Sequence, residues 1–309
     1  MMTLTPGDPV DVMLGDSLAT PEQRATLRRE MGLDRPVHER FVRFLGKAVT
    51  GEFGTSFHHR RPVAEVIAER LPATIELTLV AMVIALAVGI PLGIVAAVRR
   101  DSWFDRLATF ASLLGVSMPG FWFGILAILL FAVTLGLLPV SGRMGYESEV
   151  RLVTGFALID TLIAGRPASF LDALRHLLMP AVTLGLAMAA LLARVTRTAM
   201  IDVLHQDYIT FAEAKGLSRA RVLLRHALKN ALVPTVTVAA IETGTLLGGN
   251  MIVETVFGWP GLGRLVVEAI FARNYPIVQA AVLLYAVTYV LLNLAADILY
   301  TILNPRVRL

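Results

Sequence analysis

The chain has 309 residues, of which 56% are hydrophobic and 17% are charged, and its formal net charge is +4 at pH 7. Soluble domains have about 45–50% apolar and about 25% charged residues. The composition and the positive mean hydropathy therefore indicate an integral membrane protein. The absence of cysteine excludes a disulfide framework, a thiolate metal site and a cysteine nucleophile.

Residues 1–72 have the character of a soluble module that precedes the first apolar stretch. Turn-forming sequences, TPGDP near the start and GEFGTSF at 51–57, flank a charged stretch. Thr20, closely followed by Glu22 and Gln23, predicts the start of a helix that ends at Gly32. We expect this segment to be an extracytoplasmic loop region that packs on membrane helices.

Five apolar stretches are long enough, or nearly so, to cross a bilayer as helices, since a hydrocarbon core about 30 Å thick requires roughly 20 residues. They are 77–98, 107–140, 177–193, 231–253 and 275–296. The third can extend through RVTRTAM, whose arginines could snorkel to an interface. The predicted fold class is therefore all-α, a polytopic transmembrane helical bundle with its membrane domain at 73–304. The apolar run 152–165 is too short to cross and favours a short interfacial or partly re-entrant helix.

The distribution of Lys and Arg predicts the orientation, because these residues are enriched on cytoplasmic loops near membrane helices. One side, formed by 99–106, 194–230 and the tail, carries twelve of them, whereas 139–176 and 255–276 carry six. We expect the first side, with the tail 305–309, to be cytoplasmic. Five spans then place the leading segment outside without an apolar stretch to carry it across. We therefore expect a first helix to be missing from the front; translocation of the N-terminus without a signal is the alternative.

Sequence motifs of common enzymes are absent from the chain. The only Gly-Lys pair, Gly46 and Lys47, lacks the earlier glycine of a P-loop and is followed by alanine, so we expect no ATP hydrolysis by this chain. The H-E-x-x-H and G-x-S-x-G signatures do not occur either. His58 and His59 are adjacent and would point in different directions on a helix or strand, so they do not predict a metal site.

Glycine and proline recur within the apolar stretches. Glycines at four-residue spacing are Gly89 with Gly93, Gly120 with Gly124, and Gly244 with Gly248. In lipid this spacing lets helix backbones approach closely, so we expect these glycines mainly to pack helices together. Pro91 and Pro119 would kink their helices or loosen a turn. Such helices suit a pathway that opens and closes but do not establish one.

Glu242 is the strongest isolated polar signal within an apolar stretch. A carboxylate in the membrane costs at least about 2.5 kcal/mol, so it should face a cavity, pair with a partner or be protonated. Two interpretations stay open: a site for a coupling ion or substrate, or a hydrogen bond to Thr243, Thr245 or another helix. Asp297 lies near the cytoplasmic end of its span and Glu76 near the outer end of another, and both are expected to be interface-level anchors.

The stretch 207–230 is basic and amphipathic although it lies between two apolar spans. Its first half, DYITFAEAKG, favours a helix that ends at Gly216, after which Ser218 can cap a second helix. A basic stripe at four-residue spacing follows: Arg221, Arg225 and Lys229. The pattern fits either a positive loop on anionic lipid headgroups or a docking surface for a cytoplasmic partner, and it does not distinguish them.

The sequence DYITFAEAKGLSRARVLLRHALKNALVP resembles the cytoplasmic loop motif of ABC-transporter permease subunits, and its AEAKGLS part is similar to the dipeptide, oligopeptide and nickel branch. Gly216 matches the motif glycine and Ala212 the second motif alanine, while Thr210 and Phe211 stand where the general motif has Glu and Ala. NALVPTVT, GGNMIVETVFGWPGLGRLVVEAIFARNYPIVQ and LNPRVR downstream are similar to the same branch. So are RLPATIELTL, GIPLGIVAA, MPGFWFGI and PGDP upstream, so the resemblance covers nearly the whole chain in order.

The resemblance implies a six-helix permease of the type I ABC importer kind, in the inner membrane of a bacterial or archaeal cell. The partners it implies are a second homologous permease subunit, two ABC ATPase subunits, an extracytoplasmic solute-binding protein and membrane lipid, with no nucleic acid. ATP and Mg would be bound by the ATPase subunits, so no cofactor is expected in this chain. The implied cargo is a peptide or peptide-like solute, with nickel chelates, glutathione and opines as alternatives.

The resemblance also implies roles for individual residues, none of them catalytic. The coupling loop 199–230 and its continuation would contact the ATPases through Ala212, Ala214, Gly216, Leu217, Arg219, Arg221, Arg225, Leu228, Asn230 and Pro234. The candidate translocation path comprises Glu242, Gly244, Gly248 and Asn250. The candidate outer gate or docking turn comprises Trp259, Pro260 and Gly261. The competing hypothesis is an ion-coupled secondary transporter that uses Glu242 and Asp297.

Overall fold

The computed structural model describes residues 10, 20–30, 33–148, 150–248 and 250–303, and these residues form helices without a β-strand. The first two helices are α1 (Pro21–Glu30) and α2 (Val37–Val49). The predicted start of α1 is confirmed, because the Gln23 N–H donates to Thr20 Oγ1 at 3.3 Å and the Thr20 N–H donates to Gln23 Oε1 at 2.9 Å. Gly32, the PGDP sequence and the tail 305–309 lie outside the described residues.

Four helices in the described part are long and apolar enough to cross a membrane: α3 (Val63–Val98), α7 (Pro167–Leu204), α9 (Arg219–Leu247) and α12 (Tyr275–Leu303). A fifth crossing would need α4 (Trp103–Ser117) and α5 (Gly120–Thr134) together. The shorter helices that complete the bundle are α6 (Ala157–Ile163), α8 (Asp207–Ala214), α10 (Met251–Val256) and α11 (Leu262–Phe271). The predicted all-α polytopic bundle is confirmed, and α6 is the short helix expected within 152–165.

The apolar stretch 107–140 is not one continuous helix, and its break at Pro119 agrees with the expectation that this proline kinks its helix. The axes of α4 and α5 differ by 98°. The break falls at Met118, which is extended (ψ 136°) because the ring of Pro119 disfavours the α conformation in the residue before it. From Ile128 to Thr134 the continuation of α5 is a π-helix. The stretch is therefore two helices joined at a proline.

Helix α9 is longer than the span predicted at 231–253. The predicted second helix of the loop and the span form one helix, which begins at Arg219 and ends at Leu247, with a π-helical segment at Val222–Ala227. Ser218 occupies the N-cap position, but its side chain accepts no capping hydrogen bond. The end of the loop and the span are consequently one continuous element.

Helices α3 and α7 run parallel and form the centre of the bundle. Their backbones approach so closely that a Cβ atom at Gly93 would lie 2.6 Å from the carbonyl oxygen of Ala193. A Cβ atom at Gly185 would lie 2.8 Å from the carbonyl oxygen of Ala81. Gly89 is enclosed in the same way. The predicted packing role of the first glycine pair is confirmed.

An ion pair fixes α4 to α7. Arg197, which was expected to snorkel, donates from Nε and Nη2 to the carboxylate of Asp105 at 2.5 and 2.7 Å. Asp105 is buried and also accepts the Asp101 N–H at 3.0 Å. The connector after α3 is therefore held against α7 by a bidentate pair.

We expect Gly93→Ala to destabilise the chain, because the added methyl group would meet a backbone oxygen that cannot move unless α3 and α7 separate. Overpacking of this kind costs about 1–3 kcal/mol. The midpoint of thermal unfolding of the detergent-purified chain measures the effect. Gly120→Ala is the matched control, since no heavy atom lies within 4 Å of a Cβ atom there. Equal midpoints for the two variants would contradict the close contact.

Candidate functional site

The turn between α8 and α9 depends on the backbone conformation of Gly216. Its φ of +76° lies in the left-handed region, which residues with a Cβ atom rarely adopt. Its N–H donates to the Glu213 carbonyl at 2.9 Å. A Cβ atom there would have no heavy atom within 4 Å, so the conformation, and not the space, requires glycine.

One face of this helix-turn-helix packs on the bundle. Ile209, Ala212, Val222 and Ala227 are buried together with Met200 of α7 and Ala97 of α3, and Leu217 and Leu228 are half-buried against the same cluster. The Asn230 amide donates to the Tyr208 hydroxyl at 2.7 Å and so joins α9 to α8. The element is therefore fixed to the ends of α3 and α7 and moves with them.

The opposite face of the helix-turn-helix is exposed. The predicted contact residues on this side are Ala214, Gly216, Arg219, Arg221 and Arg225. Phe211 is 61% and Leu224 is 63% exposed, and the Lys215 ammonium lies 4.4 Å from the centroid of the Phe211 ring. None of the three arginines forms an ion pair within the described part of the chain. We call this surface, with its apolar anchors and unpaired positive charges, the basic face.

Pro234 does not belong to the basic face. It lies one turn further along α9 than Asn230 and lines a shallow depression together with Arg194 and Asp202 of α7. The structure thus brings nine of the ten residues predicted for the coupling loop into one element and places the tenth beside it, while their roles stay predictions.

At the opposite end of the bundle, Glu254 of α10 is buried against the turn that follows this helix. It has no exposed surface, and its carboxylate accepts the Thr74 hydroxyl at 2.8 Å and the Arg264 N–H at 2.9 Å. A Cβ atom at Gly261 would lie 2.5 Å from either carboxylate oxygen. Burial raises the pKa of the Glu254 carboxyl, although the Arg264 and Gly263 N–H groups and the Thr74 hydroxyl oppose the change.

The residues predicted for an outer gate or docking turn face the interior in this structure. Trp259 is 1% exposed, and its indole N–H donates to the Ala73 carbonyl at 2.9 Å. The guanidinium of Arg143 lies 5.8 Å from the centroid of the Trp259 ring. Pro260 is half-buried and Gly261 is buried. Their part in gating or docking stays a prediction.

A buried ion pair that the sequence reasoning did not identify stabilises this end. Glu76, expected to be an interface-level anchor, is instead buried and accepts Arg143 Nη2 at 2.5 Å and the Leu158 N–H of α6 at 2.8 Å. Arg143 also donates to the Gly155 carbonyl at 2.8 Å. The sequence analysis did not identify Arg143 and Glu254 as members of buried polar contacts. The available signal was a carboxylate beside an apolar run, because a buried carboxylate needs a partner.

Glu242 lies near the end of α9 that is remote from the basic face, and it has no partner among the described residues. It follows Ala239 by three positions and precedes Leu246 by four, and both are buried in the core that α3 and α7 form. Because residues at this spacing share a helix face, the half-buried carboxylate lies on the α9 face that packs toward α3 and α7. Thr243 and Thr245 donate to carbonyls of their own helix, so they are not its partners.

The other residues predicted for the path lie elsewhere. Gly244 faces α12, because a Cβ atom there would lie 3.3 Å from the Tyr289 ring. Gly248 is close only to the backbone of its own helix, and the Asn250 carbonyl accepts the Glu254 N–H at 2.9 Å. Asp297 is exposed. The structure does not bring Glu242 together with these residues, and their roles in transport stay predictions.

No metal centre is found in the residues that the structure describes, since none of their His, Asp and Glu side chains forms a group of three or more. His58 and His59 lie edge to face with ring centroids 5.4 Å apart. The described residues therefore form two structured ends of the bundle, with the basic face at one and the buried carboxylates of Glu76 and Glu254 at the other.

Two family models match the chain. Residues 89–309 match the family described as binding-protein-dependent transport system inner membrane component, and residues 1–78 match the N-terminal part of such membrane components. The di/tripeptide transport system permease protein DppB of Pseudomonas aeruginosa strain UCBPP-PA14 is 45% identical, covering 100% of this chain and 92% of that protein. The dipeptide transport system permease protein DppB of Escherichia coli strain K12 is 46% identical, with 99% and 91% covered.

The similarity extends to a relative named for another solute and to a solved structure. The glutathione transport system permease protein GsiC of Salmonella paratyphi A is 40% identical, with 99% of this chain and 90% of that protein covered. An inward-facing structure of the MetNI methionine ABC transporter matches with a TM-score of 0.58 at 17% identity, over 77% of this chain and 96% of that chain. The structural match shows a shared fold.

We expect Arg143→Met to destabilise the chain by about 3–5 kcal/mol, because it leaves the Glu76 carboxylate buried without its charge partner. Chemical unfolding of the purified chain, followed by its helical signal, measures the loss. Glu268→Gln removes the acidic partner of Arg264 from an exposed pair and should cost at most about 1 kcal/mol. Combining Arg143→Met with Glu76→Leu should restore part of the stability. An Arg143 variant as stable as the Glu268 variant would show that the buried pair contributes little.

Proposed function

Because the chain belongs to the family of binding-protein-dependent transport system inner membrane components, we propose that it is the membrane permease subunit of an ATP-driven importer of peptides or peptide-like solutes. The observation that carries this function is the similarity to peptide permeases along nearly the whole chain. Glutathione, itself a peptide, falls within the same chemical class. Nickel chelates and opines are the remaining alternatives for the cargo.

The basic face is the proposed contact with an ATPase subunit. The chain has no P-loop sequence, so the ATP and Mg would be bound by partner subunits and the energy must reach this chain through a surface. Phe211 and Leu224 offer exposed apolar anchors, and the surrounding arginines complement a groove with an acidic rim. The excess of Lys and Arg in the connectors on this side supports a cytoplasmic position for the basic face.

The transport cycle follows from how the basic face is attached. Its buried side is packed on the ends of α3 and α7, and its second helix is the beginning of α9. Closure of an ATPase dimer would displace this end of all three helices together. A second permease subunit would complete the path, and a solute-binding protein would deliver cargo at the other end, where α10 and α11 lie.

Glu242 is the proposed contact of the path with cargo. A peptide carries a positively charged amino group, and a carboxylate that lacks a partner among the described residues can accept a charge-assisted hydrogen bond from it. The same observation favours one other function, an ion-coupled carrier in which Glu242 binds the coupling cation. That carrier would also use Asp297, but Asp297 is exposed and lies on a different helix, α12.

We expect Gly216→Val to abolish most ATP-driven uptake while the chain still inserts and co-purifies with its second permease subunit. A β-branched residue in the left-handed region costs at least about 1–2 kcal/mol, which distorts the turn that presents the basic face. Gly216→Asn is the matched control, because asparagine tolerates this conformation. The measurements are dipeptide uptake into proteoliposomes that hold the whole importer and the amount of ATPase that co-purifies. Equal uptake by the two variants would contradict the proposed role of the turn.

We expect Glu242→Gln to preserve assembly and ATP dependence but to raise the KM for dipeptide uptake by roughly tenfold or more, because a hydrogen bond to a charged group contributes about 1.5–3 kcal/mol. An N-acetylated dipeptide, which lacks the charged amino group, should respond little to the substitution. Uptake is measured in the same proteoliposomes with and without ATP. Uptake driven by an ion gradient in the absence of ATPase subunits would overturn the importer and favour the ion-coupled carrier.

A further inference from the structure

Helix α2 has a wide apolar side that the sequence analysis did not identify. With a rotation of about 100° per residue, its apolar side chains fall within an arc of roughly 160°. This apolar arc contains Val37, Phe41, Val42, Phe44, Leu45, Ala48 and Val49, with His38 at its first turn. The charged side chains Glu39, Arg40, Arg43 and Lys47 all fall in the remaining part, which we call the basic arc. The helix is therefore amphipathic along its full length.

Most of the apolar arc is left uncovered by the described part of the chain, and of its members only Phe44 and Ala48 are half-buried. No residue of α2 is buried, and Val42 and Val49 are 68% and 89% exposed. Phe41 is 59% exposed. A set of large apolar side chains on one continuous face requires a nonpolar surrounding of some kind.

The connection to α3 determines where this apolar arc lies. The loop after α2 is tied to the bundle, because the Asn274 amide donates to Ser56 Oγ at 2.7 Å and the Phe57 N–H donates to Asn274 Oδ1 at 3.3 Å. The Val63 N–H, at the start of α3, donates to the Gly54 carbonyl at 2.9 Å. The C-terminal end of α2 is thus held close to the first residues of α3, which precede the apolar stretch that begins at Leu77.

The charges on α2 favour a lipid surface as the occupant. The basic arc carries three positive side chains, and its single acidic residue, Glu39, lies 3.9 Å from Arg35. Aromatic and aliphatic residues opposite a basic side characterise helices that lie in the membrane interface. At thirteen residues α2 is also too short to cross a bilayer.

We propose that α2 lies flat in the membrane interface at the end of the bundle where α3 begins. The apolar arc is immersed at the boundary of the acyl chains, and the basic arc lies among anionic headgroups. The helix then fixes the segment before α3 to the membrane plane and keeps it at the end of the bundle that holds Glu254. This inference does not depend on the cargo or on the ATP-driven cycle.

Single spin labels test this placement cleanly, because the chain has no cysteine. Phe41→Cys reports on the apolar arc, and Arg43→Cys, two positions away on the basic arc, is the matched control. The assembled permease, with cysteines removed from its other subunits, is reconstituted in nanodiscs of phosphatidylethanolamine and phosphatidylglycerol. Collision of the nitroxide with oxygen, which concentrates in lipid, is compared with collision with a water-soluble nickel complex.

We expect the label at position 41 to collide more with oxygen than with nickel and the label at position 43 to show the reverse. Preferential collision with nickel at both positions would place α2 in water and overturn the proposal. A label at position 41 that is shielded from both reagents would show that a protein covers the apolar arc, which also overturns it. Dipeptide uptake by each labelled importer shows that the variant is folded. If the label at position 41 abolishes uptake, normal uptake by Phe41→Ser shows that loss of the phenylalanine leaves the fold intact, and the collision result then stands.

Discussion

The close approach of α3 and α7 is the constraint on which the rest of the structure depends. Gly89 and Gly93 on one helix and Gly185 on the other allow backbone contact, and a larger residue at any of them would meet main-chain or β-carbon atoms. Lipid supplies no hydrophobic force that would press two apolar helices together, so dispersion contacts at short distance must hold the pair. Because the helices run parallel, their C-terminal ends form one platform, and the helix-turn-helix is packed on it.

Polar groups are buried and paired at one end of the α3 and α7 pair, and exposed at the other. In the N-terminal half of α3, Thr74 donates a hydrogen bond to the buried Glu254, and Glu76 accepts one from the buried Arg143. These contacts give the turn after α10 and the loop that carries Arg143 one defined position. Removal of either carboxylate partner would leave a buried charge, which makes alternative arrangements of this end costly. At the other end the arginines of the basic face are exposed and unpaired within the described chain. The buried polar groups at one end have their partners within the described chain, whereas the exposed arginines at the other end are available to a partner protein.

Local sequence properties predicted the features that depend on a few neighbouring residues. Apolar length located the membrane helices, the Thr20 and Gln23 pattern located a helix start, and the glycine turn at Gly216 follows from a backbone conformation that glycine favours. Features that depend on distant partners were missed. Glu76 pairs with a residue 67 positions away and Thr74 with one 180 positions away, and neither relation has a local signal. The break at Met118 was only partly anticipated, because proline predicts a kink but tertiary packing decides its angle.

The continuity of α9 connects the proposed docking surface with the proposed cargo contact. From Arg219 to Glu242 the helix rises roughly 35 Å without an intervening loop, so a displacement at the basic face must move the carboxylate unless the helix deforms. Two positions permit deformation: the π-helical segment Val222–Ala227, whose hydrogen bonding is irregular, and Pro234, which lacks an N–H donor. The π-helical segment itself carries Leu224 and Arg225 of the basic face, Pro234 lies between that face and Glu242, and the part from Ala239 to Leu246, which packs on the core, lies beyond both. Bending at these two positions would leave the part of α9 that carries Glu242 to move against α3 and α7 as one unit.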